Sequence, residues 1–260
     1  MTDAGDAARP GAPAWCEHGP EHHDGSVPSH ASAPAGSRAW LLIEHRGPWA
    51  EHAAQTPLPE PLSTAAAEAD RLGIRVQLIR RPGRGAGEAP AGVYAGWTAG
   101  ASPWLRRLAW PRPGGLDPHG LNPHGLDLHG LDLHGLAAGV PPAAGGPVPG
   151  PVFLVCAHGR RNACCARYGG PLARALAARY PGQVWETTHV GGHKFAANLV
   201  ILPHGLYYGP VDLRAASDAI GAYRRGEVTA HRFRGRAGQD PGVQAAEHAE
   251  LTRRGTIPLG

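Results

Sequence analysis

The residues with the most chemistry to offer lie between Pro151 and Pro210: Cys156, Cys165, His189 and His193. Eight residues separate the cysteines, twenty-three separate Cys165 from His189, and three separate the histidines. Two thiolates and two imidazoles make a soft donor set suited to zinc or to an iron–sulfur cluster. The gap between the cysteines exceeds the short turns of common zinc fingers, and it is not the two-residue spacing of a dithiol oxidoreductase. Residue types alone leave both metals open. Cys164 competes with Cys165, but neighbouring side chains diverge, so both are not expected to reach one metal.

These side chains need rigid elements to carry them. Residues 152–155 are an apolar strand that delivers Cys156 at its C-terminal end, and a glycine-bearing loop, HGRRNA, leads on to Cys165. Residues 168–180 read as a helix with Pro171 in its first turn, and residues 183–188 as a strand running into His189. HVGGHKF is too rich in glycine for a stable helix, so the two histidines are expected on a tight loop. Residues 198–202 and 206–208 read as a hairpin, and residues 211–225 as an amphipathic helix. The order β, α, β, loop, β, β, α is that of a thioredoxin-like domain.

The first half reads as a smaller α/β unit. Its expected elements are a buried strand at 39–49, a helix at 63–72 stopped by Gly73, and strands at 74–80, 92–98 and 104–110. The fold class expected is therefore α/β, with two α/β domains. The boundaries are a loop-rich or disordered tail over 1–36, an N-terminal domain over 37–110, a linker over 111–150, and a thioredoxin-like domain with a C-terminal extension over 151–260. The linker repeats LDPHG, LNPHG, LDLHG and LDLHG place His119, His124, His129 and His134 at intervals of five. That period suits neither a helical nor a strand face, and its glycines oppose a rigid metal site, so replacement of residues 116–136 is expected to cost little stability. In the tail, Cys16 is the only reactive side chain.

The chain of 260 residues carries a net charge of +4, but arginine, alanine, glycine and proline are all enriched, and Lys194 is the only lysine. Positive charge therefore reflects compositional bias more than a nucleic-acid surface, and no nucleic-acid partner is expected. No apolar run approaches the roughly 20 residues that span a bilayer, and no apolar signal core is present, which points to a cytoplasmic protein without a membrane partner. Cysteines clustered with histidines fit a reducing compartment better than a disulfide framework.

The strings VCAHGRRNACCARYG and THVGGHKFAANLVILPHGLYYGPVD resemble the sucrase/ferredoxin-like family of thioredoxin-like ferredoxins. WLLIEHRGPW and FRGRAGQDPGVQAAE are similar to that family too. The resemblance implies a 2Fe-2S cluster with two cysteine and two histidine ligands, carried over to Cys156, Cys165, His189 and His193. It favours Cys165 over Cys164, because the family's nine-residue step from the first cysteine lands there. The implied function is one-electron transfer between redox partner proteins, coupled to proton uptake at the imidazoles; a structural zinc module on the same fold is the alternative. An electron carrier is expected rather than an enzyme with its own substrate. Glycoside hydrolysis would need two carboxylates flanking a sugar cleft, and near the cluster only Glu186 and Asp212 are available, each isolated.

Overall fold

The computed structural model describes residues 21–83, 92–108 and 131–260. Cys16 and the repeats bearing His119, His124 and His129 lie outside them. The elements in chain order begin with α1 (Glu21–Asp24), β1 (Ala39–Glu44), α2 (Leu62–Arg71), β2 (Arg75–Arg80), β3 (Val93–Trp97), β4 (Trp104–Leu108), α3 (Leu133–Ala137) and β5 (Gly146–Pro147). Next come β6 (Val152–Cys156), α4 (Gly170–Arg179), β7 (Val184–Thr187), β8 (Leu199–Leu202), β9 (Leu206–Tyr208) and α5 (Leu213–Arg224). The chain ends with β10 (Glu227–Thr229), β11 (Phe233–Arg236), α6 (Pro241–Arg254) and β12 (Thr256–Pro258).

The fold is α/β, built on one mixed ten-stranded sheet ordered β11-β9-β8-β6-β7-β2-β1-β3-β4-β5. This order is symmetric about the contact between β7 and β2. In each half the first strand runs parallel to the second, with a helix between them, and antiparallel to the third, which pairs antiparallel with the fourth. Thus β6-α4-β7-β8-β9 repeats the connectivity of β1-α2-β2-β3-β4. The halves expected as separate domains join edge to edge through the antiparallel pairs Ile79↔Thr187 and Arg80↔Glu186. Pairing closes what would otherwise be two exposed strand edges.

Alternation along the strands sorts the core. In β1, Leu41 and Ile43 face α2 and α3, whereas Trp40 and Leu42 face the opposite side. In β6, Phe153 and Val155 pack with α4 and α5, whereas Leu154 and Cys156 share the second face with Trp40, Tyr94 and Tyr207. One apolar layer therefore runs under both halves and reaches Cys156.

Part of the stretch expected as linker is packed. The Asp132 carboxylate caps α3 by accepting from the Gly135 N–H, and Leu136 is fully buried against the first half. Trp104 donates to the Gly139 carbonyl at 3.1 Å, and β5 pairs with β4. The expectation that residues up to 136 are dispensable is corrected: five residues are too few to show a hydrophobic period, yet Leu136 fills the core. Residues 21–36, expected as tail, also dock. Ala33 is buried, its N–H donates to Gln244 Oε1, and α1 packs on the turn after His193.

Candidate metal centre

Two parallel strands bring the first ligands together. Cys156 at the end of β6 pairs in register with Thr187 at the end of β7, two residues before His189. The Cys156 N–H donates to the Asn198 carbonyl at 3.1 Å, and the Ala157 N–H to the Thr187 carbonyl at 3.1 Å. Cys165 opens a π-helical turn, Cys165–Gly169, that runs into α4, so helical structure begins before Tyr168, where the sequence suggests its start. Such turns recur at functional sites because they widen the backbone locally. Gly169 lets this turn close onto β6: a Cβ there would lie 1.9 Å from the Cys156 carbonyl oxygen.

The donor atoms of Cys156, Cys165 and His189 all lie within 4.8 Å of one another, with Cys165 Sγ 3.7 Å from His189 Nδ1. Both thiols are buried and His189 is half-buried. His193 stands close by, its ring centroid 5.8 Å from that of His189 and its Nε2 buried, but it is not within the converging group. Cys164 is buried elsewhere, against Ala196 and Tyr168.

The thiols are electrostatically linked. A hydrogen bond from Cys165 holds the Cys156 thiol well below its ordinary range, against the effect of burial and with help from His189. The same bond, together with burial, pushes Cys165 up. The pair therefore gives up one proton readily and holds the second, because two adjacent buried thiolates repel. A cation between them would remove that repulsion.

The histidine loop is braced by the first half. Gln77 Oε1 accepts from the hydroxyls of Thr187 at 3.0 Å and Thr188 at 2.8 Å, while its Nε2 donates to the His189 carbonyl at 3.3 Å. Arg75 reaches the same carbonyl at 3.4 Å. His158 bridges the halves. It accepts from the His189 N–H at Nδ1, 3.2 Å, so its Nε2 carries the proton and donates to the Ala50 carbonyl at 2.7 Å. Burial lowers the His158 pKa, in keeping with this neutral form. Gly191 and Gly192, at φ +93° and +70°, turn the chain between the histidines.

The sequence singled out none of Gln77, His158, Asn198 or Arg234 as a site residue. Asn198 and Arg234 do lie inside the family-like strings HVGGHKFAAN and FRGRAGQDPGVQAAE, which was the available signal. The two isolated carboxylates have structural partners. Glu186 is 2.7 Å from Arg80, and Asp212 caps α5 through the Ala215 N–H. A cleft of about 570 Å³ is lined in part by His23, Arg167, Asp212 and Arg232; Cys156, Cys165 and His189 are not among its walls.

The donor chemistry fits a thiophilic metal or an iron–sulfur group. Tyr207 adds to that fit: its hydroxyl is buried in the apolar cluster that holds Cys156 and Cys165, and among the described residues it has no hydrogen-bond partner. A cluster of two thiols and an imidazole at the strand ends of a β-α-β-β-β unit defines the class, an α/β protein with a candidate metal centre. Residues 118–235 match the sucrase/ferredoxin-like family model, so that part of the chain is similar to the family. The match begins within the pentapeptide repeats. It leaves out the WLLIEHRGPW string and most of the FRGRAGQDPGVQAAE string. No curated protein and no solved structure matches the chain significantly, and among the described residues no helix is long and apolar enough to cross a membrane.

Proposed function

We propose that the chain is a one-electron carrier whose 2Fe-2S group is held by Cys156, Cys165, His189 and His193. The observation that carries this reading is the convergence of Cys156, Cys165 and His189 at the end of β6. When bound, such a group supplies reversible one-electron transfer. The chain supplies the rest: two thiolates, an apolar layer behind them that excludes water, and a histidine loop fixed by Gln77 and His158. Nδ1 of His189 faces Cys165, so Nε2 of this half-buried ring is left to take up or release a proton. In this reading the partners are redox proteins and the compartment is the cytoplasm. A second reading is a zinc-stabilised interaction module; the compactness of the three donors, all within 4.8 Å, suits a single tetrahedral ion.

Protein-film voltammetry across pH tests the first reading. It expects a reversible one-electron wave whose potential falls as pH rises, because proton uptake at the imidazoles accompanies reduction. Absence of any wave would contradict electron transfer, and a pH-independent wave would contradict proton coupling.

A further inference from the structure

Arg234 is a buried cation with an unusual set of partners. It is 2 % exposed on β11. Its Nη1 donates to Asn198 Oδ1 at 2.6 Å and to the Gly191 carbonyl at 3.2 Å, its Nη2 to the Ser32 carbonyl at 2.8 Å, and its Nε to Ser32 Oγ at 3.0 Å. Every one of these acceptors is neutral. The less buried Arg80 and Arg236, by contrast, are paired with Glu186 and Glu247, each at 2.7 Å. Neutral acceptors orient a guanidinium but do not balance its charge, and buried charges are ordinarily balanced.

The guanidinium is linked to the candidate centre through Asn198 and the histidine loop. Asn198, which accepts from Arg234 through its side chain, accepts the Cys156 N–H through its backbone carbonyl. Gly191 and Gly192 lie between His189 and His193, and a Cβ on Gly192 would come within 2.3 Å of Arg234 Nη2. Aromatic faces complete the enclosure, with Arg234 Cζ 5.2 Å from the Phe195 centroid and 5.6 Å from that of Tyr207. Burial lowers the Arg234 pKa only to about 10, and the Cys156 charge acts in the opposite direction, so the group stays cationic at neutral pH.

We propose that Arg234 is the counter-cation of the metal centre, left without a carboxylate so that its charge balances negative charge at Cys156, Cys165 and the group they hold. This rests on the one-electron reading above. Two ferric ions, two sulfides and two thiolates sum to zero, and one added electron makes the sum negative. A fixed cation nearby therefore favours the reduced state and raises the potential. A zinc ion with two thiolates is neutral, as the oxidised 2Fe-2S group is, but it has no reduced state whose added negative charge Arg234 would balance.

The test is the midpoint potential of the loaded wild type beside Arg234→Gln, Arg234→Lys and Asn198→Asp, with near-ultraviolet circular dichroism to verify the fold. Asn198→Asp keeps the side-chain shape and puts a carboxylate on the guanidinium without touching Arg234. Arg234→Gln and Asn198→Asp should each shift the one-electron equilibrium toward the oxidised state by tenfold or more, equivalent to 59 mV. Arg234→Lys should stay near the wild type. Unmoved potentials in Arg234→Gln and Asn198→Asp, or a drop in Arg234→Lys as large as in Arg234→Gln, would overturn the proposal. Should Arg234→Gln fail to retain the centre, retention by Arg234→Lys supports the charge role and equal loss in both overturns it. A wild type that holds zinc and shows no wave counts against the centre itself and takes this proposal with it; a wild-type wave with unmoved variants counts against Arg234 alone.

Discussion

The two halves of the sheet share one connectivity and differ in what stands at the strand ends. Hydrogen bonds fix the correspondence: the Cys156 N–H bonds to the Asn198 carbonyl as the Glu44 N–H bonds to that of Gly92, and the Ala157 N–H bonds to Thr187 as the His45 N–H bonds to Ile79. By this register Glu44 occupies the place of Cys156, and Arg81, two residues after Ile79, that of His189. Glu44 is buried beside Arg46, 3.3 Å away, and Arg81 stacks on Trp185 at 3.4 Å and donates to the carbonyls of Gly182 and Val184. The first half thus has charged groups where the second has soft donors. It braces the second half's loops through Gln77, Arg75 and the Ala50 carbonyl. A shared scaffold does not carry the chemistry; a few residues at its strand ends do.

The largest expected effect breaks the comparison at those strand ends. Cys156→Ala and Cys165→Ala should each abolish bound metal and visible absorption, whereas Cys164→Ala and Glu44→Gln should retain both. A colourless Cys164→Ala protein beside a coloured Cys165→Ala protein would reverse the ligand assignment.

A smaller effect is expected where the halves meet. The Glu186 side chain is 8 % exposed and pairs with Arg80, whose guanidinium also lies over the Trp49 ring at 4.1 Å. Glu186→Ala leaves that guanidinium without its carboxylate at the sheet junction and should cost roughly 3 kcal/mol in urea unfolding. Unfolding should remain a single transition, because one apolar layer underlies both halves. Two separated transitions, one unaffected by the substitution, would show that the halves are independent.

The smallest effect is a pH dependence at another contact between the halves. His204, in the β8–β9 turn near Thr98, shares a hydrogen bond with the Tyr223 hydroxyl at 2.7 Å, and burial and then Arg236 lower its pKa to about 4. The unfolded chain, with an ordinary histidine pKa near 6.5, binds the proton first. Stability from the neutral ring is therefore fully present above about pH 6.5 and is lost as pH falls toward 4. Allowing for partial exposure, the loss is about 1–2 kcal/mol. His204→Gln should flatten the stability profile in that window; an unchanged slope would assign it to other groups.

Much of the second half was legible locally. Its strands are short apolar runs, Cys156 and Cys165 are two of only four cysteines, and His189, one of 16 histidines, stands out only through its place beside His193 in the glycine-rich turn HVGGHKF. The junction between halves was not legible. The pairing of Ile79 with Thr187 joins residues distant in sequence, and nothing in either strand alone encodes its neighbour. The supporting residues were hidden for the same reason. Arg234 reads as one arginine among many until the fold buries it beside Asn198, and Gln77 is an ordinary polar residue in a strand until Thr187 and Thr188 turn toward it. Docking of residues 21–36 was likewise invisible because Ser32 and Ala33 bond to Arg234 and Gln244 through long-range contacts.

The most direct measurement is iron, acid-labile sulfide and zinc analysis of anaerobically purified protein, together with its visible spectrum before and after dithionite. Iron and sulfide in equal amounts, with visible absorption that bleaches on reduction and disappears in Cys156→Ala, is the expected result. Stoichiometric zinc in a colourless protein without sulfide would contradict the one-electron centre.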